Sequence, residues 1–207
     1  MSNIEEKIKT WQQRSFSWSQ LSSWEYDKEK WFAKYILNEK EEDNKEMALG
    51  RLFAESCEKG KPLAPVTLYS KVEYKLKVMF NNIPLVGYCD TYEPHTKLGE
   101  FKTSKKPWTR EKVDSHGQLT FYALLLYIQH KVKPESLHIQ LQNILTKENG
   151  DFSLDFVKPI KVYTFETKRS MKDILQMGAR INSARAEMEA FARSKELSPV
   201  APVQYMP

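Results

Sequence analysis

Val86-Gly-Tyr-Cys-Asp90, a turn over 93–97 containing Pro94, then Leu98-Gly-Glu-Phe-Lys-Thr103: the fold of this chain is decided by how these segments are read. Side chains alternate along a strand, so Glu100 and Lys102, two positions apart, project from one face. The turn folds the second segment back along the first and brings Asp90 beside Glu100 on that face. Two carboxylates this close repel each other unless a cation lies between them. Oxygen ligands favour a hard divalent ion, Mg²⁺ or Mn²⁺. Such an ion would bring a phosphate oxygen and a water molecule together. Lys102 would then position or deprotonate that water, or stabilise charge developing in the transition state.

Working outward, the upstream segment 71–79 alternates. Lys71, Glu73, Lys75 and Lys77 are polar and Val72, Tyr74, Leu76 and Val78 apolar, the pattern of a half-buried strand. Asn81-Asn82 supplies a turn able to take positive φ, and 83–92 and 98–103 complete three consecutive antiparallel strands. A basic connection over 104–110 leads to a helix over 111–130, then to strands over 137–146 and 161–166. The first third is helical: 4–13, then a helix capped by Ser19 or Ser22 that buries Leu21, Trp24, Trp31, Phe32, Tyr35 and Ile36. After a charged loop over 39–46 comes a helix over 47–58 that Gly60 ends. Ile174, Met177, Ile181, Ala184, Met188 and Phe191 recur at steps of three and four, an apolar stripe for core packing or a partner-helix face. The expected architecture is α/β (α+β), a mixed central sheet of four to five strands flanked by helices. It forms one domain over 1–198, with a helical part over 1–60, a core over 66–146, a last helix over 168–196 and a flexible tail over 199–207.

Composition narrows the function class without choosing it. With 207 residues, 41% hydrophobic and 12% aromatic, the chain can bury a real core. The excess of 32 basic over 27 acidic residues, net +5, suits a polyanionic partner. Two cysteines, Cys57 and Cys89, are too few for a disulfide scaffold and read as free thiols in a reducing cytoplasm. No apolar run approaches the roughly 18 residues that span a bilayer. A Gly-rich phosphate loop and a Ser-His-Asp arrangement are both missing, which argues against an NTPase or serine hydrolase.

The acid-x-Lys tripeptide occurs five times, starting at Glu5, Asp43, Glu73, Glu100 and Glu166, and alone selects nothing. Glu73-Tyr-Lys75 fits a solvated strand face, and Asp155 followed by Glu166-Thr-Lys168 competes at similar spacing. Context selects Glu100. Upstream stands Asp90, and downstream Gln118 and Tyr122 share a helix face at i and i+4, where their polar tips can contact water, phosphate or lysine.

The ordered set of Gly87-x-x-Asp90, Glu100-x-Lys102-Thr103 and Gln118-x-x-x-Tyr122 resembles the RecB-type branch of the PD-(D/E)XK nucleases. The opening Phe16-Ser-Trp-Ser-Gln-Leu-Ser-Ser-Trp24, followed by Trp31-Phe32, and the glycine-led segment Leu49-Gly50 to Glu58 are similar to that family as well. The resemblance implies a restriction-endonuclease-like core and a divalent-metal deoxyribonuclease, an exonuclease, working in recombination, repair or phage DNA processing. The setting it implies is the cytoplasm of a bacterium or a phage-infected host, with DNA as partner, no membrane, and a homo-oligomer or a recombination or replication protein as further partners. Its metal ligands would be Asp90, Glu100, the backbone carbonyl of Phe101 and a glutamate of the helix, Glu55 or Glu58. Many members carry a histidine four residues after the helix glycine; this chain has Ala54 there. Members with an iron–sulfur cluster use four cysteines, so none is expected here.

Lys105, Lys106 and Arg110, with Trp108 among them, form a basic loop that would grip phosphates and stack an unpaired base; the plainer reading is a solvated loop whose tryptophan packs inward. His116 is incidental or reaches phosphate. Two rival functions stand beside the nuclease. One is a catalytically inactive nucleic-acid-binding or assembly module of the same fold, and the other an interaction protein that docks through its last helix.

Overall fold

The alternation over 71–79 is realised as a long hairpin. In the computed structural model, which describes residues 4–40, 44–148 and 154–197, β2 (Lys71–Phe80) pairs antiparallel along β3 (Ile83–Glu93). Asn81 and Asn82 turn the chain at φ 46° and 63°, a conformation asparagine tolerates better than most residues. Next, β4 (Lys97–Ser104) pairs antiparallel with β3 and parallel with β5 (His138–Glu148). Beyond it, β7 (Val162–Thr167) pairs antiparallel with β5.

The sheet has seven strands rather than four or five. The additional two are short. β1 (Phe16–Ser17) runs parallel to β3, and β6 (Leu154–Phe156) pairs with the end of β5. Segments of two and three residues carry no periodicity that a sequence reading can register.

Two continuous helices expected from the sequence are each broken in two. The first becomes α2 (Trp18–Tyr26) and α3 (Lys28–Tyr35), after α1 (Ile4–Gln13). Asp27, at φ −158°, leaves the helix and caps α3 by accepting from the backbone N–H groups of Glu29 and Lys30 at 3.0 and 3.1 Å. Ser17, not Ser19 or Ser22, caps α2. The second becomes α5 (Arg110–Asp114) and α6 (Gly117–His130). At that break a Cβ on Gly117 would lie 2.2 Å from the Trp18 ring, so only glycine lets α6 start against α2.

α4 (Lys45–Glu58) packs on one face of the sheet through Leu49, Phe53 and Cys57, against Phe101, Ile144 and Phe156. α6 and the N-terminal helices cover the other face, joined by α7 (Met171–Leu197). The apolar stripe of α7 is buried within this chain: Ile174, Met177, Ile181, Ala184 and Met188 are buried, and Phe191 meets Trp24 edge-on at 5.4 Å. That favours the core reading over a partner-helix face. Part of the 39–46 loop and the 199–207 tail lie outside the described residues. Among the described residues no helix is long and apolar enough to cross a membrane.

Candidate active site

One edge of β3 is paired with β2 almost throughout, while the other is shared. β1 takes Leu85 and Val86, β4 takes Thr91 to Glu93, and no strand among the described residues covers 87–90 between them. β4 therefore leaves β3 beyond Gly99 and continues beside β5 alone. Asp90 stands in this fork. Its Oδ2 accepts a hydrogen bond from the Phe101 backbone N–H at 2.6 Å, which satisfies a donor that the parting strands have exposed.

The fork opens into a cavity of about 270 Å³ lined by Asp90, Glu100, Phe101 and Lys102, by Gln118 of α6, by Glu73 of β2, and by Gly50 and Ala54 of α4. The pair of acids and the amine predicted from the hairpin thus share one pocket. Lys102 Nζ donates to Glu100 Oε1 at 2.5 Å and to Gln118 Oε1 at 2.8 Å, and Gln118 Nε2 donates to Tyr122 Oη at 2.7 Å. These hydrogen bonds tie β4 to α6, and the amide of Gln118 is oriented from both ends. Gly87 makes room for it: a Cβ there would lie 2.8 Å from both Leu125 Cδ1 and Tyr122 Cε1.

Glu100 is 1% exposed, and its second oxygen, Oε2, is buried with no hydrogen-bond partner. Burial first, then the Asp90 charge, push the Glu100 carboxyl up to about 8 despite Lys102. Asp90 is also raised by burial, against the pull of Lys102 and the Phe101 N–H. For Lys102 burial works downward, but Glu100 and Asp90 outweigh it and raise the ammonium above its ordinary value. Tyr122 is raised by burial and by both acids, so it stays a phenol.

This is a site short of positive charge. An orphaned carboxylate oxygen in a carboxylate pocket is what a divalent ion would satisfy, and the hard-oxygen donor set fits Mg²⁺ or Mn²⁺. Among the described residues no three His, Cys, Asp or Glu side chains stand close enough together to form a closed ligand set.

The helix glutamates are not brought to the cavity wall. α4 presents Gly50, Phe53, Ala54 and Cys57 there, while Glu55 is exposed and pairs with Lys59 at 3.8 Å and Glu58 is exposed. Glu73, read as part of a solvated strand face, lines the cavity instead, and burial with the Asp90 and Glu58 charges pushes it up to about 7. The competing set does not assemble at the cavity. Glu166 is exposed and pairs with His138 at 3.2 Å, and Thr167 binds Asp114 at 2.7 Å.

In the basic loop, Lys105 and Lys106 are exposed, with Lys105 3.4 Å from Glu46. Trp108 packs inward. It lies edge-on to His116 at 4.9 Å, with the Lys112 ammonium 4.0 Å over its ring. Arg110 donates to the Glu166 carbonyl. His116 is half-buried, and desolvation with the Lys102 charge pushes it down to about 4.

Asn143 escapes a sequence reading because it looks like one polar position of a strand. It is fully buried, accepts from the Trp108 N–H at 3.0 Å, and donates to the Lys102 carbonyl at 2.9 Å and Ser104 Oγ at 2.7 Å.

No protein-family profile and no curated protein matches the chain. Solved structures do. A candidate exonuclease from Eubacterium rectale superposes with a TM-score of 0.55 at 10% identity, covering 96% of this chain and 88% of that one. The chain shares that structure's fold, a mixed sheet flanked by helices. A phage-related exonuclease from Haemophilus somnus 129PT gives a TM-score of 0.49 at 16% identity, covering 81% of each chain. LHK-Exo, solved with dAMP, gives 0.46 at 13% identity, covering 93% of this chain and 96% of that one.

Proposed function

We propose that this protein is a divalent-metal-dependent nuclease of the PD-(D/E)XK type that hydrolyses DNA phosphodiester bonds, acting as an exonuclease in recombination, repair or phage DNA processing. One observation carries the reading: Asp90, Glu100 and Lys102 converge on one cavity, where Glu100 Oε2 is buried without a partner. The similar structure from Eubacterium rectale is named as a candidate exonuclease, which supports the choice of activity.

Asp90, Glu100 and the Phe101 carbonyl would hold Mg²⁺ or Mn²⁺. When bound, such an ion supplies Lewis-acid stabilisation of charge on a phosphoryl oxygen and activation of water. The chain's own residues do the rest. Glu100 and Gln118 aim the Lys102 ammonium at the cavity, where it would position water or stabilise developing negative charge. Gln118, braced by Tyr122, presents its amide at the same cavity, where a phosphate or water would be oriented.

End-labelled single- and double-stranded DNA, incubated with Mg²⁺ or Mn²⁺, tests the proposal. Wild type should shorten the labelled strand and Asp90→Asn should not. The inactive-module reading draws on Ala54, which leaves α4 without a ligand at that position of the cavity wall. Equal inactivity of wild type and Asp90→Asn, with DNA binding retained, would establish that reading instead.

A further inference from the structure

Glu73 has no place in the motifs that select the site, yet the fold delivers it there by an unusual route. In the β2–β3 register Val72 faces Thr91 and Tyr74 faces Cys89, which sets Glu73 directly across from Asp90. Residues at 72 and 74 of an unbroken strand share a face. Here they do not: Val72 packs with the cluster under α4, and Tyr74 with the cluster under α6. The exchange occurs at Glu73, whose φ is +47°. A residue with a Cβ adopts that region rarely, and such conformations persist where the surroundings over-determine them. The result is a carboxylate that lines the cavity containing Asp90 and Glu100, where unbroken alternation would leave it in a solvated row with the strand's lysines.

Nothing basic comes with it. The charges acting on Glu73 are those of Asp90 and Glu58, both negative, and Lys102 is engaged with Glu100 and Gln118. From α4 the cavity receives Gly50, Phe53, Ala54 and Cys57, none with an oxygen donor in its side chain, and burial pushes the Cys57 thiol up to about 11. The unpartnered Glu100 Oε2, 1% exposed, is an independent feature of the pocket that a cation would satisfy.

We infer that Glu73 is the third carboxylate of the cation site, supplied by β2 in place of a ligand from α4. The inference rests on the cation reading of Asp90 and Glu100 and assigns the residue that completes it. Because Glu73, Asp90 and Glu100 do not form a closed ligand set, Glu73 would support a bound ion through its outer contacts.

The test uses the full chain and Mn²⁺ alone, with free Mn²⁺ followed by electron paramagnetic resonance. Glu73→Gln should weaken Mn²⁺ binding by about tenfold or more, in the range of supporting-shell losses. Asp90→Asn should weaken it more. Thermal melts without metal supply the second readout: Glu73→Gln relieves like-charge repulsion and should melt a few degrees higher, roughly the shift expected of a modest stabilisation in a chain of this size. A side chain needed only for structure would melt lower.

Mn²⁺ affinity within about twofold of wild type for Glu73→Gln, with Asp90→Asn impaired, overturns the assignment of Glu73 and leaves the cation site standing. Unchanged affinity in Asp90→Asn as well removes the cation reading itself, and the assignment with it.

Discussion

The orphaned carboxylate makes a quantitative demand on stability. Glu100 is carried from an ordinary 4.5 up to about 8, first by burial and then by Asp90. Its protonated form is therefore favoured in the folded state, and folding takes up a proton between those two values. Stability from this group is highest below pH 4.5, falls as pH rises, and reaches its floor above about 8. At roughly 1.4 kcal/mol per pKa unit the full swing is about 4–5 kcal/mol, of which about 3 kcal/mol is felt at pH 7. That is a large share of the roughly 5–15 kcal/mol that holds a domain together.

Glu100→Gln keeps an acceptor for Lys102 and removes the charge. Urea denaturation of both proteins from pH 5 to 8, with chelator present, reads the difference. The two should lie within about 1 kcal/mol at pH 5, and the variant should be more stable by about 3 kcal/mol at pH 7. Millimolar Mn²⁺ should then stabilise wild type and close the gap, because binding only to the folded state adds stability by mass action. A variant equal to or weaker than wild type at every pH would show that Glu100 is not buried as a frustrated charge.

Lys102→Met should lower DNA cleavage by about a hundredfold or more, the size of losing one preorganised stabiliser, while Mn²⁺ still binds in resonance titrations. Gly87→Ala should cost about 1–3 kcal/mol in urea melts from overpacking against Leu125 and Tyr122, and cleavage should fall further as the tyrosine is pushed off Gln118. Asn143→Ala strands a buried Trp108 N–H and the Lys102 carbonyl, so about 2–3 kcal/mol should be lost by the same measurement. Replacing Lys105 and Lys106 together by alanine should reduce the salt slope of DNA binding by about 1 for each phosphate released, without changing Mn²⁺ affinity.

The strands are legible in the sequence because period-2 alternation and the Asn81-Asn82 turn are strong local signals. Strand geometry puts Glu100 and Lys102 on one face, but only the company of Asp90, Gln118 and Tyr122 selects that pair among five acid-x-Lys tripeptides. Gln118 and Tyr122 are legible from helical spacing, although the helix bearing them starts later than its periodicity suggests, since Gly117 yields to the Trp18 ring. Glu73 is not legible. A glutamate at positive φ has no residue signature of the kind glycine or asparagine provides, and the surrounding alternation reads it onto the solvent face. The breaks at Asp27 and His116, and the inward turn of Asn143, depend likewise on partners distant in sequence.

Asn143 has a mechanical consequence. One buried amide grips the backbone of Lys102, the hydroxyl of Ser104 and the backbone of Trp108 at once, so the reactive strand and the cationic loop after it share a rivet. On the proposed function, a nucleic acid pulling on that loop would pull on the peptide unit that carries the ammonium, and substrate grip and the aim of Lys102 would become a single rigid variable.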